Sequence, residues 1–407
     1  MPAPDVALVG TYPPAGELHS GHSGVASYTA NLAHALRDQG ASVAVVASDD
    51  GHGPGYGVDR GIHVLRPFRR GPGALSAATA AAETTGAPVV HVQHEMFLYG
   101  GVMSIPGVVP ALRRRRRQHR VRRHRRPLVV TMHQVVDPNT VDGEFTELHR
   151  VRAPAALARL GLATVQRFLR DQADAVIVHE PAFTNHVRDA RVVPHGVEVA
   201  TTPARDSARA ALGIDDGFVV LCFGFLAPYK GLETALDAAK IAGRSVELVV
   251  AGGEHPRLSG RDGYAASLRE RWGHIARFTG RVPDEEVPLW FSAADVALYP
   301  YPRPFSSSGA LALALAYRTP VLLSPELAPC TGAPDALAAP REASGLAVRL
   351  RDLAEKPGAL EILRSAGTSL GEERSWPRVA AHHLELYGEV IDAHRPARRR
   401  VRPTQPW

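Results

Sequence analysis

Four short stretches carry residues whose types and spacing suit chemistry, three of them on an anion and one on a hydroxyl. Pro304-Phe305-Ser306-Ser307-Ser308-Gly309 leads into Ala310 to Ala316, a small-residue loop opening an apolar helix. Such a loop aims free backbone N–H groups and the positive helix end at a phosphate. No acidic residue stands between Asp295 and Glu326 to oppose that charge. Gly224-Phe225-Leu226-Ala227-Pro228-Tyr229-Lys230-Gly231 sets a lysine just after an apolar run, where an ammonium can neutralise charge growing on a departing phosphate; the plainer reading is a solvent-facing loop lysine. The chain holds only three lysines, Lys230, Lys240 and Lys356, against an abundance of arginine. Gly21-His22-Ser23-Gly24 precedes another helical stretch, fitting a second phosphate contact or an ordinary helix cap. Gln93-His94-Glu95 closes a buried strand, so His94 and Glu95 are candidates to orient or deprotonate a hydroxyl, or form a hydrogen-bonded loop.

The elements that must hold these loops read as alternating short apolar strands and helical segments. Val6 to Gly10, Ala26 to Leu36, Val43 to Val46, Val89 to Val92, Leu128 to Thr131 and Ala175 to Val178 form a first series. A second runs through Phe218 to Phe223, Val246 to Val250, Val296 to Tyr299 and Val321 to Leu323. This order predicts an α/β fold with doubly wound parallel sheets and ligands outside the carboxyl ends of the strands. The expected division is a domain over 1–198, a linker over 199–207, a second domain over 208–374, a helix over 375–394 and a basic tail over 395–407. Length alone suits two domains.

Charge is unevenly spread. Arg113 to Arg126 holds ten arginines and no acid, and without them the net charge of +6 becomes −4. This run is either solvated surface or a patch for an anionic membrane surface, with nucleic acid the least favoured partner. No apolar run is long enough to span a bilayer and Met1 to Asp5 does not resemble a signal peptide, so a cytoplasmic protein, peripheral at most to the inner membrane face, is expected. Cys222 and Cys330 lack metal-ligand spacing and read as buried small hydrophobes.

In order and spacing the chain resembles the retaining GT-B glycosyltransferases of family four. The matching pieces are the N-terminal glycine loop, Thr131-Met132-His133, Ala173-Asp174-Ala175, Pro194-His195-Gly196-Val197, Tyr229-Lys230-Gly231, Gly280-Arg281-Val282, Ala294-Asp295-Val296, Thr319-Pro320-Val321, Trp376 and Tyr387. They run from about residue 6 to 392. The resemblance implies two Rossmann-like domains facing a central cleft, with the last helix crossing back to the first domain. It implies a nucleotide-diphosphate sugar as donor, a hydroxyl acceptor of small-molecule, glycan or lipid type, and no metal or cofactor. By it, Gly24, Ser307, Ser308 and Gly309 cradle the diphosphate, Lys230 stabilises it as it leaves, Arg281 and Val282 lie along the base, and His133 sits by the sugar. Two departures stand out. The family's Glu-x7-Glu acids fall on Phe305 and Leu313, and its arginine beside the lysine is replaced by Phe225 and Ala227. Hydroxyls of Ser306 to Ser308 could substitute for the acids, and Arg303 for the cation. The alternatives to a transferase are a catalytically degenerate scaffold and a pseudo-glycosyltransferase acting on a cyclitol.

Overall fold

The computed structural model describes residues 2–14, 24–49, 55–95, 98–99, 126–148, 151, 153–254, 263–302 and 307–394. The arginine run as far as residue 125, the basic tail, and residues 21–23 and 303–306 lie outside them. Arg126 is described, and it donates to the Glu83 carbonyl at 2.6 Å.

The first sheet takes eight strands: β1 (Val6–Gly10), β2 (Val43–Ser48), β3 (Tyr56–Asp59), β4 (Ile62–Phe68), β5 (Val89–His94), β6 (Leu128–Met132), β7 (Ala175–Val178) and β8 (Arg191–Val192). Their order is β3-β4-β2-β1-β5-β6-β7-β8. β1 pairs in parallel with β2 and β5, and its five residues are buried, which is why it reads as an unbroken apolar run. β3 and β4 form an antiparallel hairpin at the edge, turning on Arg60 (φ 47°) and Gly61 (φ 86°). Positive φ at both central residues is what the twist of a two-residue hairpin asks for.

The second sheet takes β9 (Val219–Phe223), β10 (Glu247–Ala251), β11 (Ala276–Gly280), β12 (Val296–Tyr299) and β13 (Val321–Leu323), ordered β11-β10-β9-β12-β13. The chain moves outward from β9 through β10 to β11, then returns to the other side of β9 with β12. The topological switch point therefore lies between β9 and β12, where such sheets open a crevice for ligands. The core of this part gathers apolar residues of all five strands and of the helices Leu232–Ala242, Gly309–Ala316 and Ala343–Glu355.

One local device recurs at the opposite, amino edge of the strands. Asp5, Asp174 and Asp295 each stand one residue before a parallel strand. Each carboxylate accepts a backbone N–H at the start of a neighbouring strand: Ser42 at 2.8 Å, Leu128 at 2.8 Å and Val219 at 2.7 Å. Asp295 also pairs with the buried Arg209 at 2.7 Å. The Ala-Asp motifs at 173–174 and 294–295 thus align strand starts, away from any ligand edge.

The chain packs as two compact units. One comprises residues 1–131, 169–176 and 380–407, the other 132–168 and 177–379. In the first, Tyr387 of the final helix, Trp376–His394, meets the buried His91 Nδ1 at 2.6 Å. In the second, Trp376 lies flat on Gly196, where a Cβ would come within 2.4 Å of the indole ring. Val197 N–H donates to the Arg374 carbonyl at 2.7 Å beside it.

Candidate active site

The switch point of the second sheet gathers the lysine loop and the serine loop that opens the Gly309–Ala316 helix. β9 ends at Phe223, and Gly224 follows with φ 111°, its N–H held by the Ala251 carbonyl at 2.9 Å. A Cβ at Gly224 would stand 2.6 Å from Lys230 Nζ, so the loop needs glycine both for its backbone and for the lysine. Pro228–Lys230 forms one 3-10 turn, closed by Gly231 at φ 62°. There the chain passes so close to the Pro300 carbonyl that a Cβ would sit 2.2 Å from it. This turn drives the lysine inward rather than to solvent.

Lys230 is 8% exposed. Its Nζ lies 3.4 Å from the Phe223 carbonyl and 5.5 Å from the centre of the Tyr301 ring. No carboxylate stands within ion-pair distance of it among the described residues. Burial lowers its pKa, with Tyr229 and Cys222 acting weakly the other way. The adjacent Cys222 thiol is pushed up to about 12 by burial and so is neutral. A buried ammonium held by one carbonyl and one ring face is only partly compensated, and an anion is what completes it.

The facing element is the helix Gly309–Ala316, apolar throughout and without an acid in its first turn. Ser308 caps it, accepting from Leu311 N–H at 3.2 Å. The amides of Gly309 and Ala310 have no carbonyl four residues behind them within the helix. Ser307 Oγ is buried with no hydrogen-bond partner among the described residues. Tyr301, two residues past the end of β12, touches Ser308 Oγ at 3.2 Å through its hydroxyl and is 8% exposed. Lysine, open amides and two serines thus converge as donors. Leu313 packs against the core from within the helix, so its position offers an apolar surface where an acid would give an acceptor.

The flank of the same edge is built by β10 and β11. Gly252 bridges Gly280 (φ 72°), and a Cβ on Gly253 would lie 3.4 Å from Arg281 Cβ. Arg281 is exposed and Val282 half-buried. Phe225 is 46% exposed and Ala227 fully buried, so the loop before the lysine supplies no second cation.

His133 follows β6 within the same compact unit and is 8% exposed. Its Nδ1 lies 3.1 Å from His179 Nε2, while His179 Nδ1 lies 2.9 Å from the Val193 carbonyl. A carbonyl only accepts, so a neutral His179 carries its proton on Nδ1 and offers a lone pair at Nε2. His133 must then hold its proton on Nδ1, which leaves its Nε2 as an acceptor whenever the ring is neutral.

The other predicted residues lie in the first unit. Gly24 opens the helix Gly24–Asp38, is exposed, and a Cβ there would meet nothing within 4 Å. His94 ends β5, stacked on Tyr99 at 5.9 Å between ring centres. Burial pushes its pKa down to about 4, so it is neutral at pH 7 and weakly basic, better suited to orienting a hydroxyl than to taking its proton. Glu95 is half-buried, its carbonyl accepting from Leu98 N–H at 3.1 Å. No group of three or more metal-ligating side chains occurs among the described residues.

Two family models match the chain: glycosyl transferase 4-like domain over residues 23–204 and glycosyl transferases group 1 over residues 217–356. The chain belongs to the glycosyltransferase group 1 family. No curated protein sequence matches it. Solved structures share its GT-B fold. Sucrose-phosphate synthase from Thermosynechococcus elongatus is 20% identical with a TM-score of 0.68, covering 95% of this chain and 99% of that one. Anabaena HepE, solved with UDP-glucose, is 16% identical with a TM-score of 0.65, over 94% and 99%. Trehalose 6-phosphate synthase from Burkholderia multivorans is 13% identical with a TM-score of 0.65, over 98% and 100%.

In this group 1 glycosyltransferase Lys230, Ser307, Ser308 and Gly309, all legible in the sequence, stand together at one switch point. Tyr301, His179 and the Gly252-Gly253 pair join the site only in the folded chain. Tyr299-Pro300-Tyr301 at a strand end was a legible signal for the first. His179 had no signal short of the sheet order that sets β6 and β7 side by side. No helix of the described residues is long and apolar enough to cross a membrane.

Proposed function

We propose that the protein is a retaining glycosyltransferase that moves a sugar from a nucleotide-diphosphate donor to a hydroxyl acceptor. The observation that carries this reading is the buried Lys230 ammonium, without a carboxylate partner among the described residues, facing the open amides of the Gly309–Ala316 helix. Together they offer a pyrophosphate two kinds of positive charge and the hydroxyls of Ser307 and Ser308. Arg281 and Val282 stand two strands away along the same edge, roughly 10 Å at ordinary strand spacing. That span suits a nucleoside at one end and its diphosphate at the other. HepE, of the same fold, has been solved with UDP and with UDP-glucose.

In the reaction the bond from the anomeric carbon to the diphosphate oxygen breaks while the acceptor oxygen bonds to that carbon on the same face. The acceptor proton passes to the departing phosphate oxygen. Lys230 and the helix amides stabilise the negative charge as it grows, electrostatic assistance that needs no metal. His133 is the residue proposed beside the sugar, its Nε2 facing a sugar hydroxyl. His94 and Glu95 are proposed to orient the acceptor, and Gly24 to approach the diphosphate.

A second reading is favoured by Leu313 and Ala227, which remove an acceptor and a cation from the site: a protein that binds the donor without transferring sugar. Calorimetric titration with UDP, GDP and ADP in EDTA, followed by mass spectrometry of donor hydrolysis, separates the two. Micromolar binding lost in Lys230→Ala supports a donor site, and turnover supports the transferase. Failure of all three nucleotides to bind would sink both.

A further inference from the structure

Tyr301 stands between the two halves of the anion site. Its ring presents a face to Lys230 Nζ, 5.5 Å from the ring centre, and its hydroxyl reaches Ser308 Oγ at 3.2 Å. It is itself fixed by edge-on contacts with Tyr299 at 5.9 Å and Tyr229 at 6.5 Å. Tyr299 in turn donates to the Ala310 carbonyl at 2.7 Å, fastening the first turn of the helix.

The direction of the Tyr301–Ser308 bond follows from satisfaction. The Tyr301 hydroxyl has no other acceptor among the described residues, so it donates to Ser308 Oγ rather than leave a buried proton unpaired. Ser308 Oγ already accepts from Leu311 N–H. With both lone pairs engaged, the serine can act only as a donor, and its hydroxyl proton is left for an oxygen of a bound anion.

We propose that Tyr301 is the positioning residue of this site, its ring holding the Lys230 ammonium and its hydroxyl turning Ser308 into a dedicated phosphate donor. The inference rests on the donor-site reading above. It makes the site's affinity depend on a side chain that need not touch the ligand.

Two substitutions divide the roles. Tyr301→Phe keeps the ring face and frees one Ser308 lone pair, and Tyr301→Leu removes both contacts. The probe is the nucleoside diphosphate among UDP, GDP and ADP that binds the wild type, with inorganic pyrophosphate in parallel. Tyr301→Phe is expected to weaken binding about 3- to 10-fold, and to add no further loss in a Ser308→Ala background. Its alkaline limb of affinity against pH should match the wild type. In Tyr301→Leu that limb should move to lower pH by about 0.5, because the ammonium loses the ring that favours its charged form. Besides Tyr301 itself, whose hydroxyl both variants lack, the titratable groups facing Lys230 are the Cys222 thiol and the Tyr229 hydroxyl, present in both, so the difference between the two variants isolates the ring. A purely structural tyrosine would lower the melting temperature and leave the limb in place. Full affinity and an unmoved limb in both variants, with binding still lost in Lys230→Ala, overturns this inference while the donor site stands. A wild type that binds neither nucleotide nor pyrophosphate overturns both.

Discussion

Replacing Lys230 by methionine should separate function from stability in opposite directions. The side chain is 8% exposed and its ammonium has only the Phe223 carbonyl at 3.4 Å and the Tyr301 ring at 5.5 Å for company. The hydrogen bond is long and weak, and the ring contact is worth about 0.5 to 2 kcal/mol. Against these stands the desolvation of a buried charge, which also lowers the pKa of the group. Exchanging a buried charge for an apolar side chain of similar volume is commonly neutral or stabilising by about 1 to 4 kcal/mol. The net expectation for the unliganded protein is a melting temperature unchanged or raised by a few degrees, at about 2 to 4 °C per kcal/mol. Donor binding should move the other way. A charge-assisted bond to phosphate is worth about 1.5 to 3 kcal/mol, so Lys230→Met should lose about 10- to 150-fold in nucleotide affinity. Scanning calorimetry without ligand and isothermal titration with the bound nucleotide give the two numbers. A melting temperature several degrees lower with unchanged affinity would refute the reasoning, since it would make the lysine a structural strut.

Gly196→Ala should destabilise by about 2 to 3 kcal/mol in urea unfolding, because a Cβ would meet the Trp376 ring at 2.4 Å; Trp376→Leu in the same chain should recover part of the loss. Asp295→Asn should cost about 3 to 5 kcal/mol, leaving the buried Arg209 without its anion. If Asp295 only filled space, the cost would stay below about 1 kcal/mol. Acid should destabilise the fold in a defined window. His94 and His195 are both pushed by burial from 6.5 to about 4, so the unfolded chain binds more protons between those pH values. The stability they contribute is full above pH 6.5 and is lost as pH falls toward 4, at most on the order of 3 kcal/mol each. Denaturation of the wild type and His94→Gln from pH 7 to 4 checks this, and equal slopes would contradict it.

The elements legible in the sequence were those buried on both faces. β1, β7, β12 and β13 fall on the residues their apolar runs predicted, as does the final helix from Trp376. The β3–β4 hairpin and the edge strand β11 were not legible, whereas β13, at the other edge of the second sheet, was, because it is buried throughout. β3 and β4 carry Tyr56, His63, Arg66 and Pro67, and β11 reads Ala-Arg-Phe-Thr-Gly, so none shows the unbroken hydrophobic run of a strand buried on both faces. β11, closing on Phe278-Thr279-Gly280, pairs with β10 on one side only.

The sequence by itself determined the alternation of apolar strands and helices, the acid-free loop and helix after Asp295, and the placing of a rare lysine between Pro228 and Gly231. These are local properties: apolar runs, glycines and charges act over a turn or two of chain. Whether that lysine faced water or protein was settled only by tertiary structure, through the approach of Gly231 to the Pro300 carbonyl. The partners of the site were likewise decided there. β12 returns to lie beside β9, and that crossover sets Tyr301 against both Lys230 and Ser308. β6 beside β7 does the same for His133 and His179. Such pairings depend on which strands become neighbours, a property of the whole sheet that no single stretch of sequence contains.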